Sequence, residues 1–400
     1  MGMKINQAVI IAGGMGTRLK PFTDTAPKPM YPFEGVPFIE HLVKQVKGFG
    51  IERILILLGY LPEKVMEYLG DGSKYGVSIT YDVTPVENET GKRLLAAKSK
   101  MDETFLFMYC DNYCPIDLER LVTEYEKNQA LIQITAYANR DKYTKDNLLL
   151  GENGKIEKYD KKRVTEGLRT VDIGYAVVNR EVLSLMPEEN VNFEAAVYPQ
   201  LVEQGKMYAT VCEHRYYSVG SWERIELTKE FFREKKFVFL DRDGTINERP
   251  PRACYVEKEE DFVWLPGAKE AIKKLNDNGY LVLMVSNQPG IARGNLTEEQ
   301  LSKIHDKMLA DLAEEGASVD KIYYCPHNWD EGCFCRKPSP GMLYQAQRDY
   351  CLNLKEGVLF GDDERDIDAA NRAGVRGVLV TEEYTLLQAV NDLLEQEKNR

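Results

Sequence analysis

The stretch "FVFLDRDGTIN", Phe237 to Asn247, ends an apolar run on two carboxylates, Asp241 and Asp243. Residues two apart on a strand share a face, so the two acids converge. One can attack phosphorus while the other passes a proton to the leaving oxygen. Gly244 lets the backbone turn away directly afterwards. Three later stretches add the rest of a phosphoryl-transfer site. "VSNQPGIARG" offers Ser286 and Asn287 to a phosphate oxygen, with Gln288 beside them as a further substrate contact. "CRKPSPGML" supplies Arg336 and Lys337 ahead of a proline-capped helix, and "FGDDERD" supplies Asp362, Asp363 and Asp366, a group fit for Mg²⁺. Singly these read as a polar loop, a solvated basic pair and a helix cap. Together, each falls at a strand end or a helix start, where open α/β sheets bind ligands.

"CPHNWDEGCFC" places Cys325, His327, Cys333 and Cys335 in a C-x-H-x5-C-x-C spacing. Three thiolates and one imidazole make a closed, structural Zn²⁺ site. The loop holds little apolar residue of its own, so a metal would fold it. A clamp ending at Cys335 would position Arg336 and Lys337.

The first half carries a different constellation. "IIAGGMGTRLKPFTDTAPKPM" breaks from a strand into Gly13, Gly14 and Gly16, whose N–H groups can approach phosphates, and Arg18 and Lys28 add cations.

The second half resembles the haloacid dehalogenase superfamily of aspartate-nucleophile phosphatases, through "DRDGT", Ser286, Lys337 and "GDDERD". The resemblance implies Asp241 as nucleophile and Asp243 as general acid and base. It implies Mg²⁺ held by Asp241, Asp243 through its backbone oxygen, and Asp362, with Ser286 and Lys337 on the transferring phosphoryl group. The zinc loop followed by "RKP" resembles the branch of heptose bisphosphate and histidinol phosphate phosphatases. Within that branch Arg249, Arg252 and Arg336 would grip the substrate.

The first half resembles the sugar-nucleotide pyrophosphorylases, through G-G-x-G-T-R-L followed by "PKPM". That resemblance implies that Gly13, Gly14, Gly16, Thr17 and Arg18 bind a triphosphate and that Lys28 stabilises the transition state. Asp111 in "YCDN" would hold Mg²⁺, Lys162 the sugar phosphate, and Asp172, Gly174 and Glu194 the sugar. The stretch "NFEAAVYPQLVEQGKMYA" resembles heptose or mannose 1-phosphate guanylyltransferases, which favours GTP. Two departures stand out. "ETGKRLLAA" replaces the usual base-contacting loop, and Ser218 stands where a second metal-binding aspartate is expected.

These residues need strand ends to stand on. "QAVIIAGG", "RILILLGY" and "FLFMYCDN" read as buried parallel strands, with an amphipathic helix between the first two. After Phe237 the alternation restarts, with a helix over "GAKEAIKKLNDNGY", one beginning near Thr297 and one from Asp366. The expectation is an α/β chain of two doubly wound Rossmann-like domains, 1–234 and 235–400, joined by the charged helix "SWERIELTKEFFREKK". The 400 residues accommodate both cores. A formal net charge of -12 argues against nucleic acid or anionic membrane as partner. No signal peptide is visible, so a cytoplasmic location is expected and the eight cysteines read as thiols or metal ligands. Expected partners are sugar phosphates and an NTP, and a homo-oligomer is compatible with them. The whole reads as a bifunctional enzyme of nucleotide-activated heptose synthesis using Mg²⁺ and Zn²⁺. The alternative is a phosphatase for histidinol phosphate or another small ester, with a nucleotide-sugar-binding first half that does not catalyse.

Overall fold

The computed structural model describes residues 2–251 and 254–399, which leaves Arg252 outside the described residues. The chain divides into two compact units, Met1–Arg233 and Glu234–Arg400.

In the first unit seven strands form one sheet: β1 (Gln7–Ala12), β2 (Arg53–Leu58), β3 (Ser78–Val83), β4 (Thr104–Tyr109), β5 (Ile132–Tyr137), β6 (Val171–Asn179) and β7 (Met207–Cys212). Their spatial order is β7-β5-β6-β4-β1-β2-β3. β1 pairs in parallel with β2 and β4, so the sheet reverses direction of growth at β1. A ligand crevice is expected at the carboxyl end of such a strand, which is where Gly13 begins the glycine loop. β6 runs antiparallel to both β4 and β5. An all-parallel sheet is therefore not what forms, because the chain returns to β6 through a short two-stranded excursion instead of a helix. Side chains of β1 alternate between two cores. Ala8, Ile10 and Ala12 face α1 (Phe38–Gly48) and α4 (Leu118–Asn128). Val9 and Ile11 face α3 (Thr90–Ala97) and α5 (Phe193–Glu203). α2 (Pro62–Leu69) lies between β2 and β3 in sequence.

The helix expected to join the halves is α6 (Trp222–Phe232). It packs into the first unit. Phe232 sits against Phe33, Phe38, His41 and Tyr113, and Phe231 stacks on Tyr217 with ring centroids 4.0 Å apart.

The second unit is a five-stranded parallel sheet of β8 (Lys236–Leu240), β9 (Tyr280–Asn287), β10 (Lys321–Cys325), β11 (Val358–Gly361) and β12 (Arg376–Leu379), in the order β10-β9-β8-β11-β12. β8 sits at its switch point. Val238 and Leu240 join the core with α7 (Ala268–Asp277), α8 (Glu298–Glu314) and α11 (Leu386–Lys398). Phe237 and Phe239 join the opposite core with α9 (Gly341–Tyr350) and α10 (Glu364–Ala373). Thr297 caps α8 in a full capping box with Gln300. α10 begins earlier than Asp366. Asp363 is its cap, and Asp366 is the third helical residue, reaching back to the Asp363 N–H. No described helix is long and apolar enough to cross a membrane.

Candidate active sites

At the carboxyl end of β8, Asp241 is buried with its Oδ1 2.6 Å from Lys337 Nζ. The same ammonium lies 2.5 Å from Asp366 Oδ1 and donates to the Val285 carbonyl at 2.8 Å. Its three N–H bonds are thus all spent, and only 3% of the residue is exposed. Removing this lysine would leave two acids buried without compensation, a loss of about 3–5 kcal/mol. Burial chiefly pushes Asp241 up, to about 7, with Asp366 and Asp243 adding to it and Lys337 opposing. A further cation is what would hold Asp241 ionised at neutral pH.

The donor set fits one. Carboxylate oxygens of Asp241, Asp362 and Asp366 lie within 4.8 Å of one another, and Asp362 Oδ1 is buried without a partner. Gly244 makes this approach possible. Its φ is +95°, and a Cβ there would stand 1.8 Å from Asp362 Oδ2. Asp363 faces elsewhere, bonded to Arg365 and Arg249. Arg249 also holds Asp362 at 2.8 Å.

The Asp243 side chain turns away from this cluster. Arg242 donates to it twice, at 3.1 and 2.9 Å, Asn247 at 3.0 Å and Gln288 at 3.1 Å. Burial opposes the charge, but the wholly buried Arg242 holds Asp243 below the usual carboxylate range. Gln288 spends the rest of its amide on Ser286 Oγ, 2.7 Å away, and on Arg242. It therefore joins Ser286 to Asp243. Asn287 exchanges a reciprocal pair of 3.0 Å bonds with the Lys337 backbone. Both amides are committed to positioning Ser286, Asp243 and Lys337.

Cys325, His327, Cys333 and Cys335 converge as their spacing predicts. Cys325 Sγ lies 3.5 Å from Cys333 Sγ and 3.3 Å from Cys335 Sγ, and His327 Nδ1 lies 3.2 Å from Cys335 Sγ. A tetrahedral zinc with ordinary Zn–S and Zn–N bonds asks for edges of about 3.5–3.8 Å, so the set fits with slight expansion. Arg336 follows at once and donates to the His327 carbonyl at 3.4 Å. Purified protein is expected to carry about one zinc per chain, and Cys333→Ser to lose most of it together with thermal stability, read by elemental analysis and by melting.

In the first unit Lys28 Nζ lies 2.8 Å from Asp111 Oδ2. Burial works against both charges, yet each outweighs it for the other, so Lys28 stands above and Asp111 below its usual range. Gly16, at φ +64°, lets the chain pass Lys28, since a Cβ there would meet the Lys28 Cβ at 2.9 Å. Among the described residues the N–H groups of Gly14, Met15 and Gly16 find no acceptor, and Thr17 and Arg18 are exposed beside them. That is a concavity suited to phosphate oxygens. Ser218 pairs with Asn112 across a two-residue ladder, next to Asp111, and its Oγ accepts from the Gly220 N–H. Ser218 thus brings a hydroxyl, not a second carboxylate, beside Asp111.

Asp172 and Glu194 lie close enough to repel, with Tyr109, Tyr159 and Tyr198 around them. Tyr159 donates to Glu194 at 3.0 Å, and the Gly174 N–H donates to Asp172 at 2.9 Å. Both Lys161 and Lys162 are exposed, and the one that reaches Glu194 is Lys161, at 3.2 Å. Both lysines lie in the turn after the Ile156–Tyr159 strand, where strand alternation does not separate them. Burial first, then the Glu194 charge, pushes the Asp172 carboxyl up to about 7. Between its ordinary value and 7 the folded state binds the extra proton, so stability falls as pH rises through that window. Asp172→Asn is expected to remove that fall. Its melting temperature should exceed wild type at pH 8 and match it near pH 4.

Sequence comparison agrees with this division. The model of the nucleotidyl transferase family matches residues 7–234, and the HAD-hydrolase-like model matches residues 334–397. The D-glycero-alpha-D-manno-heptose-1,7-bisphosphate 7-phosphatase of Photorhabdus laumondii is 41% identical over 147 residues, 35% of this chain and 79% of that protein. The D-glycero-beta-D-manno-heptose-1,7-bisphosphate 7-phosphatase of Pseudomonas putida is 44% identical over 146 residues, 36% of this chain and 82% of that protein. A solved structure of a putative glucose-1-phosphate thymidylyltransferase from Bacillus anthracis shares the fold of the first unit. Its TM-score is 0.51 at 21% identity, over 58% of this chain and 96% of that one. The chain belongs to the nucleotidyl transferase family in its first half and to the haloacid dehalogenase-type phosphatases in its second. It is, accordingly, a phosphatase and a nucleotidyltransferase in one polypeptide.

Proposed function

We propose that the second unit removes the 7-phosphate of D-glycero-D-manno-heptose 1,7-bisphosphate and that the first unit joins the resulting sugar 1-phosphate to a nucleotide, GTP being favoured. The observation that carries this reading is the identity, above 40%, to heptose bisphosphate phosphatases over a unit fused to a nucleotidyl transferase. One unit's product then has the chemistry of the other's substrate.

In the phosphatase, Asp241 attacks phosphorus and the bond to the sugar oxygen breaks, leaving a phospho-aspartate. The departing oxygen takes a proton from Asp243, which must gain that proton when substrate binds, since Arg242 holds it ionised in the free site. Asp243 then accepts a proton from the water that releases phosphate. Ser286 holds a phosphoryl oxygen, and Lys337, which gives up one of its present bonds to do so, brings fixed charge to the phosphoryl group, where such charge contributes most of the rate. Arg249, Arg252 and Arg336 take the remainder of the substrate. Asp241 and Asp362, with the Asp243 backbone oxygen, would hold Mg²⁺, which supplies positive charge against the phosphoryl group. In the transferase, the N–H groups of the glycine loop with Thr17 and Arg18 receive the triphosphate. Lys28 offsets charge building on it, and Asp111 would hold a Mg²⁺ whose other ligands are phosphate oxygens. Asp172, Glu194 and Gly174 take the sugar hydroxyls, and Lys161 joins Lys162 as a candidate for the sugar phosphate.

Ser218 supports a second reading, in which the first unit binds nucleotide sugars without turnover and the phosphatase accepts histidinol phosphate. The relative kcat/KM of the phosphatase on the two esters separates them. The heptose bisphosphate is expected to lead by at least about 100-fold, a difference of two to three well-made polar contacts. A preference for histidinol phosphate would overturn the assignment.

A further inference from the structure

The stretch "ETGKRLLAA" carries a side chain whose surroundings are unusual for its type. Arg93, on the first turn of α3, is only 2% exposed. Its guanidinium donates to the Leu58 carbonyl at 2.9 Å, the Thr84 hydroxyl at 2.5 Å, the Val86 carbonyl at 3.0 Å and the Gly13 carbonyl at 3.3 Å. None of these partners is a carboxylate. Leu58 ends β2, Thr84 follows β3, and Gly13 opens the glycine loop after β1. One cation thus ties together the carboxyl ends of three neighbouring strands. The fit is close, since a Cβ on Gly13 would stand 2.5 Å from the guanidinium carbon and one on Gly59 2.4 Å from a guanidinium nitrogen. Burying a charge is costly; Glu89 and Glu87 favour the cation without touching it, and a fan of oxygens satisfies its donors.

We infer that Arg93 is a positioning residue of nucleotidyl transfer, which locks the glycine loop in its triphosphate-receiving form by holding Gly13 to the ends of β2 and β3. It acts through the loop and not on the sugar. The inference rests on the transferase reading above. The start of α3 also touches the sugar side, where the Thr90 hydroxyl accepts from the Phe193 N–H at 2.8 Å beside Glu194. Separate measurement of the two substrates is therefore the discriminating readout.

Steady-state pyrophosphate release is measured for Arg93→Ala, Arg93→Lys and Thr84→Val in the full chain, with calorimetric binding of Mg²⁺·GTP and phosphatase turnover in parallel. Arg93→Ala is expected to raise the nucleotide KM and Kd about 10-fold or more, the scale of hydrogen bonds to a charged donor. The sugar 1-phosphate KM should stay within about twofold, and Arg93→Lys should recover part of the loss. Thr84→Val removes one partner without deleting the cation, and should raise the nucleotide KM by a smaller factor of about three. It carries the test if Arg93→Ala does not fold. Unchanged nucleotide binding in folded variants, or equal losses for both substrates, would overturn the inference. A wild-type chain that binds nucleotide but releases no pyrophosphate would refute the transferase reading, and the Kd comparison would still decide the role of Arg93.

Discussion

Asp241→Asn should lower phosphatase kcat by about 10⁴-fold or more and leave pyrophosphate release unchanged. Loss of a covalent nucleophile typically costs on that scale. The substitution is nearly isosteric. An asparagine Oδ1 can still accept from Lys337, which lies 2.6 Å from the carboxylate oxygen it replaces. It also relieves a crowding of charge, since burial and the neighbouring Asp366 and Asp243 already push Asp241 upward. The fold should therefore hold, with a melting temperature equal to or above wild type. That separates lost chemistry from lost structure. Substantial phosphatase activity in this variant would contradict the nucleophile assignment.

Lys28→Ala should lower nucleotidyl transfer about 10²- to 10³-fold, the usual loss on removing one preorganised charge from a transition state. Lys28 stands against Asp111 at 2.8 Å, with the glycine loop passing over it at Gly16. Its removal leaves Asp111 buried without its counter-charge, so the carboxyl should rise from its lowered state and hold a metal less well at neutral pH. Phosphatase turnover should be unaffected. A transfer rate within a few-fold of wild type would show that Lys28 is not in the reaction path. The two variants together predict opposite, separable losses in one polypeptide.

Much of this was legible in the sequence where the signal is local. The four zinc-type ligands fall within eleven residues, so spacing alone brings them together. β8 was readable because its apolar run stops on Asp241, and its two-sided burial matches a parallel central strand. Less is legible where geometry is set by distant partners. The sequence points to Asp366 as a helix start because capping boxes commonly carry Glu or Gln at the third helical position. Here an aspartate fills that position and bonds Lys337 as well. The direction of β6 depends on the path of the chain before it, not on its apolar pattern. Asn287 and Gln288 looked like substrate contacts, but neighbours brought in from β8 and from the Lys337 turn claim their amides. Arg93 carries no signal at all, since an arginine on an amphipathic helix ordinarily lies on its solvated face.

The central claim is that both reactions occur in one chain and in sequence. It is tested most directly by supplying the full-length protein with D-glycero-D-manno-heptose 1,7-bisphosphate, Mg²⁺ and each NTP in turn, and following phosphate and pyrophosphate together. The account predicts phosphate release in every case and, with GTP, an equal amount of pyrophosphate that lags behind it. Phosphate release with no pyrophosphate from any NTP would contradict it.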